Sequence, residues 1–244
     1  MFRVASYTNQ GGRDHNEDSV EVSACKERQC LVVADGLGGH GGGEIASREA
    51  VQILMREFTR CSSPDRDWVE NVFADANREV MKRQTENCKM KTTCVSLFVE
   101  GSRAVWAHLG DSRLYHFVNG QLDFCTSDHS VSQMAVLSGE ITRDQIRFHE
   151  DRNRVLKAFG ITDQVKPDIT EIPDLGKDFH AFLLCSDGFW EYVLEGEMEI
   201  DLEKTDSPGV WIQYMCERLR KRVGEKHDNY TAAAMFYAEG RTVI

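Results

Sequence analysis

The sequence predicts an α+β protein built on mainly antiparallel sheet. Three observations carry that expectation. Apolar, β-branched runs follow one another closely between residues 92 and 118. Asn119-Gly120 then gives a strong hairpin signal, because both residues tolerate positive φ. Helical patterns fall in blocks between strand-rich stretches, which argues against a doubly wound βαβ chain.

The elements follow in order. Strands are expected over 29–34, 92–99, 104–109, 114–118, 180–185 and 231–238, where the chain is apolar and β-branched. Several end directly in an aspartate-containing turn, at Asp35, Asp111 and Asp187. A helix is expected from Glu44 to about Arg60, with Ala46, Ala50, Val51, Leu54, Met55 and Phe58 on one stripe. A second runs from Asp65 to about Asn87. A third runs from Pro208 to about Val223, with Ser207 as N-cap and Trp211, Met215 and Leu219 at spacing four. From Asp128 to Gly160 the chain turns polar and mixed, as in a surface excursion with short helical pieces.

Composition bounds the function. The 244 residues are 41% hydrophobic, without repeat or linker, so one domain over 1–244 is expected. Forty acidic residues oppose 29 basic ones, a net charge of −11. Neither nucleic acid nor an anionic membrane suits such a surface. Phosphate chemistry remains open to an acidic chain, because metal ions supply local positive charge. No signal peptide and no transmembrane run is expected. The eight cysteines form no C-x-x-C pair and mostly sit in apolar runs, which suits reduced thiols in the cytoplasm.

Five short acidic motifs stand out. They are Arg13-Asp14-His15-Asn16-Glu17-Asp18, Val33-Ala34-Asp35-Gly36-Leu37-Gly38-Gly39-His40, Gly110-Asp111-Ser112-Arg113, Cys185-Ser186-Asp187-Gly188 and His227-Asp228-Asn229-Tyr230-Thr231. A strand end holds a carboxylate rigidly, and an adjacent Gly lets a metal or phosphate approach the backbone. Convergence of such carboxylates makes an all-oxygen site suited to Mg²⁺ or Mn²⁺. One isolated Asp-Gly is usually only a turn. The number and order of the motifs raise the metal reading above that.

In that order the chain resembles the metal-dependent protein phosphatases, the type 2C serine/threonine phosphatases, in their minimal bacterial form. The resemblance runs from about Arg13 to Thr231. It includes Thr126-Ser127-Asp128-His129-Ser130, Gly139-Glu140-Ile141-Thr142, Arg152-Asn153 and Ala158-Phe159-Gly160. It implies a four-layer αββα sandwich, two central antiparallel sheets flanked by helix pairs. It implies phosphoserine and phosphothreonine hydrolysis by metal-activated water at two Mn²⁺ or Mg²⁺ ions, opposing a serine/threonine kinase, in a monomer. Asp35 would bridge the ions and the Gly36 carbonyl bind one. Asp187 and Asp228 would complete the other shell, Glu17 hold metal-bound water, and Arg13 clamp the phosphate. Asp111 with Asp187 would hold a third, weaker ion. Asn229 would orient the Asp228 loop and Asp18 support its strand. Residues 130–160 match the family's flap.

Some positions depart from the family pattern. Animal-type members carry a His directly after the Asp-Gly pair as a proposed general acid. Here that place is Leu37, and the nearest histidine, His40, is the candidate, beside a metal-bound water or a packing role for the ring. Lys91-Thr92-Thr93 replaces Gly-Thr-Thr, and His149-Glu150 replaces His-Pro in the flap. A Cys-nucleophile mechanism is set aside, with no Cys expected to precede a five-residue loop ending in Arg, and the Asp-x-Asp-x-Thr pattern is missing. A catalytically dead binding module would lack metal aspartates, and none is lost. A phosphatase for a small metabolite remains the third reading.

Overall fold

The computed structural model describes residues 2–25, 27–38 and 42–238. All its strand pairs are antiparallel. The chain opens with β1 (Phe2–Asn9), β2 (Asp18–Ala24) and β3 (Arg28–Leu37), then helices α1 (Gly42–Arg60) and α2 (Arg66–Arg83). A run of short strands follows: β4 (Lys91–Thr92), β5 (Cys94–Glu100), β6 (Arg103–Leu109), β7 (Arg113–Val118) and β8 (Gln121–Cys125). The excursion holds α3 (Val131–Leu137) and a 3₁₀ turn at Arg143–Phe148. The chain closes with β9 (Asp168–Ile172), β10 (Phe179–Cys185), α4 (Asp187–Trp190), α5 (Glu195–Leu202), α6 (Pro208–Arg220) and β11 (Tyr230–Ala238).

Two sheets result. One has the order β1-β11-β10-β7-β8; the other has β2-β3-β5-β6-β9, with β4 paired to the end of β3. Three apolar cores separate four layers. Phe73, Phe98 and Phe159 lie where α1 and α2 cover the second sheet. Val33, Trp106, Phe182 and Met235 fill the space between the sheets. Trp190, Trp211 and Phe236 lie where α4, α5 and α6 cover the first. The expected αββα sandwich is therefore the observed one.

Several boundaries differ from expectation. β3 runs on through Leu37, so Asp35 and Gly36 are strand residues and not a turn. α2 stops at Arg83, and Thr85 bridges Cys88 where helix was expected. α6 stops at Arg220. The expected strand 92–99 is broken at Thr93, between β4 and β5. The hairpin signal holds: Asn119 and Gly120 both have positive φ, 52° and 89°, between β7 and β8. Asp65 caps α2 through the Trp68 N–H, and Ser207 caps α6 through the Val210 N–H. The described cysteines are free thiols, and Cys25 is exposed where the rest are covered at least in part.

A buried ion pair ties the layers together near the sheet ends. Arg113 at the start of β7 donates from Nε and Nη2 to the two oxygens of Asp128, at 2.8 and 2.7 Å. Both side chains are 2% exposed, and the guanidinium lies 3.5 Å from the Trp190 ring centroid. Asp128→Ala strands the Arg113 charge in the interior. It is expected to lower the unfolding free energy by about 3–5 kcal/mol, measured by urea denaturation followed by circular dichroism.

Candidate active site

Strand ends from both sheets meet at one seam, and each delivers a carboxylate. Asp35 lies on β3 opposite Asp18 of β2. Its N–H donates to the Thr93 hydroxyl (3.0 Å), and its carbonyl accepts from the Thr93 N–H (2.9 Å) and the Thr92 hydroxyl (2.8 Å). The break at Thr93 thus locks the backbone of Asp35. Gly36 donates its N–H to the Glu17 carbonyl at 3.1 Å. A Cβ at Gly36 would overlap the main chain of Gly43 in α1 and crowd the Glu17 carbonyl, so glycine is required by close approach.

Asp187 opens α4 after the N-cap Ser186. The Ser186 hydroxyl donates to Asp18 Oδ2 (2.8 Å) and accepts the Thr231 N–H (3.0 Å), joining β2, β10 and β11 beneath the seam. Asp228 precedes β11 and accepts from Arg13 Nη2 at 2.6 Å. Asn229 beside it gathers the N-terminal loop. Its Oδ1 accepts the Glu17 N–H (2.8 Å), and its Nδ2 donates to the carbonyls of Gln10 (2.8 Å) and His15 (2.9 Å). Asp111 sits in the turn between β6 and β7, 2% exposed, with its carbonyl accepting from Trp190 Nε1 at 2.9 Å.

The charges of this cluster oppose one another. Burial raises Asp35 well above the usual carboxylate range, and Asp187, Asp18 and Asp111 push the same way. Burial and then Asp187 raise Asp111 well above that range. Burial and then Asp228 raise Asp187. Asp18 is pushed up to about 7, mainly by burial. Burial raises Glu17 too. Arg13 is raised by its hydrogen bond to Asp228 and by the charge of that carboxylate. Asp187 Oδ1 is buried with no hydrogen-bond partner among the described residues. An acid-rich, oxygen-only cradle of this kind fits a hard divalent cation such as Mn²⁺ or Mg²⁺.

Arg13, Glu17, Asp35, Gly36, Asp111, Asp187 and Asp228 line one cleft of about 820 Å³. The structure therefore brings together every sequence-derived site residue except His40, which lies outside the described residues. Asn229 and Asp18 join the loops and strands beneath the seam as described. Asn153 and Val155 of the excursion also reach the cleft. Two neighbours escaped the sequence reading. Thr93 fixes Asp35, and Glu191 stands one helical turn after Asp187. Burial pushes Glu191 up to about 7, with the Asp187 charge adding, while Arg152 Nε donates to it at 2.8 Å. The i, i+4 spacing from Asp187 was the available signal. Cys216 and Arg222 do enclose five residues, the spacing of a thiol phosphate loop, contrary to the sequence reading. Cys216 is buried on α6 with its thiol pushed up to about 11, and Arg222 pairs with Glu197, so no phosphate loop forms.

Known proteins share this architecture. A family model described as protein phosphatase 2C matches residues 8–228. Serine/threonine phosphatase stp of Listeria innocua is 34% identical over 196 residues, 77% of each chain. The crystal structure of serine/threonine phosphatase Stp1 from Staphylococcus aureus aligns with a TM-score of 0.85 at 32% identity, covering 98% of this chain and 96% of that one. The catalytic domain of the serine threonine protein phosphatase PstP, solved in complex with two manganese ions, aligns with a TM-score of 0.78 at 26% identity, covering 96% and 97%.

The electrostatics set a pH dependence. A carboxylate whose pKa is raised on folding stabilises the fold below its unfolded value, and that stability is lost as pH rises through the folded value. For Asp18 the window runs from the unfolded range up to about 7. The chelated protein is expected to lose melting temperature as pH rises from about 5 to about 7.5, and Mn²⁺ to offset the loss. Differential scanning fluorimetry with EDTA or Mn²⁺ measures the widening gap.

Proposed function

The chain belongs to the protein phosphatase 2C family and is a metal-dependent phosphoprotein phosphatase, and from that premise we propose that it hydrolyses phosphoserine and phosphothreonine at a two-ion Mn²⁺ or Mg²⁺ centre, opposing a serine/threonine kinase. The observation that carries this reading is the convergence of Asp35, Asp111, Asp187 and Asp228, from four separate stretches of chain, on one cleft. When bound, such ions supply Lewis acidity and make a coordinated water nucleophilic near neutral pH.

The chain's own residues hold and orient. Asp35 would hold both ions, with the Gly36 carbonyl, kept open by the absent side chain, as a ligand to one. Asp187 and Asp228 would hold the other, and Asp111 with Asp187 a third, weaker ion. Glu17 accepts from water at the edge of the cleft. Arg13 presents two N–H groups to the phosphate oxygens while another keeps its bond to Asp228, which aims the fork into the cleft. Water adds to phosphorus as the bond to the serine or threonine oxygen breaks, with no covalent enzyme intermediate. His40 stays the proposed donor of the proton to the leaving alkoxide. Residues 130–160 act as a flap, through which Asn153 and Val155 meet substrate. Residues 1–244 act as one catalytic domain, working as a monomer in the cytoplasm.

With ample Mn²⁺, the wild type is expected to dephosphorylate a phosphothreonine peptide. Asp35→Asn and Asp187→Asn are each expected to lower kcat by at least about 100-fold. No turnover by the folded, Mn²⁺-loaded wild type sinks the proposal. Arg13→Ala is expected to raise KM for the phosphopeptide by about 10–100-fold, read from steady-state kinetics.

A further inference from the structure

The 130–160 segment is rooted beside the turn that carries Asp111. Ser130 bridges Val155. Val131 N–H donates to the Arg154 carbonyl (3.0 Å), and Leu156 N–H donates to the His129 carbonyl (2.7 Å). His129 also reaches the opposite way. Its N–H donates to the Gly110 carbonyl at 2.9 Å, and its ring Nδ1 accepts the Gly110 N–H at 3.2 Å. One residue thus holds both polar groups of Gly110, the neighbour of Asp111, and also the returning limb of the segment.

The chemistry of the ring fixes its direction. The His129 side chain is nine-tenths buried, and burial pushes its pKa down to about 4, so the imidazole is neutral at neutral pH. Because Nδ1 accepts, the proton sits on Nε2. That atom lies 3.2 Å from Asp168 Oδ1, a charge contact without hydrogen-bond geometry. His108 stacks on the ring with centroids 4.7 Å apart and 5° between planes, and its Nε2 meets the Ser127 carbonyl at 2.8 Å.

His108, His129 and Asp168 have the composition of a metal site, with donor atoms close together. Two facts speak against that use. His129 has its Nδ1 committed to an N–H, so its Nε2 lone pair is taken by the proton. Imidazole lone pairs lie in the ring plane, so two near-parallel stacked rings do not aim at one ion.

We infer that His129 is a positioning residue, through which the 130–160 segment sets the place of the Asp111 carboxylate. The inference rests on reading the cleft as a metal-dependent phosphatase site. The other holds on this turn come from the body of the fold: Thr93 to the Ser112 hydroxyl (2.7 Å) and Trp190 to the Asp111 carbonyl. His129 supplies the hold that moves with the segment. A substrate that displaces the segment shifts Gly110, and with it the affinity of Asp111 for its ion.

Two substitutions separate this role from packing. An Asn side-chain oxygen falls near the place of Nδ1, and a Gln oxygen near that of Nε2. His129→Asn keeps an acceptor for the Gly110 N–H, whereas His129→Gln removes it. Titration calorimetry with Mn²⁺ alone is expected to show the weakest binding step falling about tenfold in His129→Gln and staying within about twofold in His129→Asn. Amide exchange at Gly110 is expected to rise in the Gln variant only. Equal behaviour of the two variants overturns the inference, as does a Zn²⁺ ion bound by the wild type and lost in both. If the Gln variant does not fold, Asp168→Ala, at an exposed position, removes the charge that lies against the outer end of the ring. Mn²⁺ affinity is then expected to fall about threefold, and unchanged affinity overturns the inference. A wild type that shows this Mn²⁺ pattern but no phosphopeptide turnover would fail the functional reading alone.

Discussion

Mutual repulsion between buried carboxylates is the constraint on which the rest of this structure depends. Asp18, Asp35, Asp111 and Asp187 are held together, and burial raises each above its usual range. Left to itself such a cluster would spread apart or take up protons. No single element can resist that, because each acid arrives on a different stretch of chain. What resists is the main chain beneath: Thr93 against Asp35, Ser186 between Asp18 and Thr231, and Asn229 across three loop groups. These contacts are short, buried in part and mostly to backbone, so the carboxylates have little room to retreat.

The three cores serve as the mount for that seam. Helices on both outer faces hold each sheet against the other, and the β6–β7 connection passes from one sheet to the other at Asp111. The Arg113–Asp128 pair and Trp190 then brace this crossing from below. A buried ion pair adds little net stability over apolar packing. Its value here is placement, since it fixes the turn that carries one acid against the helix that begins with another.

The interior of each sheet was legible in the sequence, and the edges were not. The expected strands correspond to β3, β5, β6, β7, β10 and β11, which have neighbours on both sides. Being covered on both faces, they read as continuous apolar runs. The edge strands β1, β2, β8 and β9 have no such run, and only the Asn119-Gly120 turn pointed to one of them. The same contrast holds at the cleft. Aspartates beside glycines announce themselves in one dimension, because the local chemistry is complete within a few residues. Thr93, Glu191 and His129 do so far less, since each is placed by a group brought from elsewhere: the Asp35 amide, the Arg152 guanidinium and the Gly110 amide. The Cys216–Arg222 spacing shows the converse, a local pattern without the loop that would give it meaning.

The meeting of Gly36 with Gly43 has a consequence of a different kind. Strand and helix touch there main chain to main chain, with no side chain between them to yield. Removing a carboxylate from the cleft is a chemical lesion: the scaffold survives and one function is lost. Adding a single methyl group at this crossing is a mechanical lesion, because the helix must lift as a body and the strand end must move with it. The two kinds of damage would look alike in an activity assay and unlike in the shape of the protein. The smallest residues of the seam are therefore its least compliant parts.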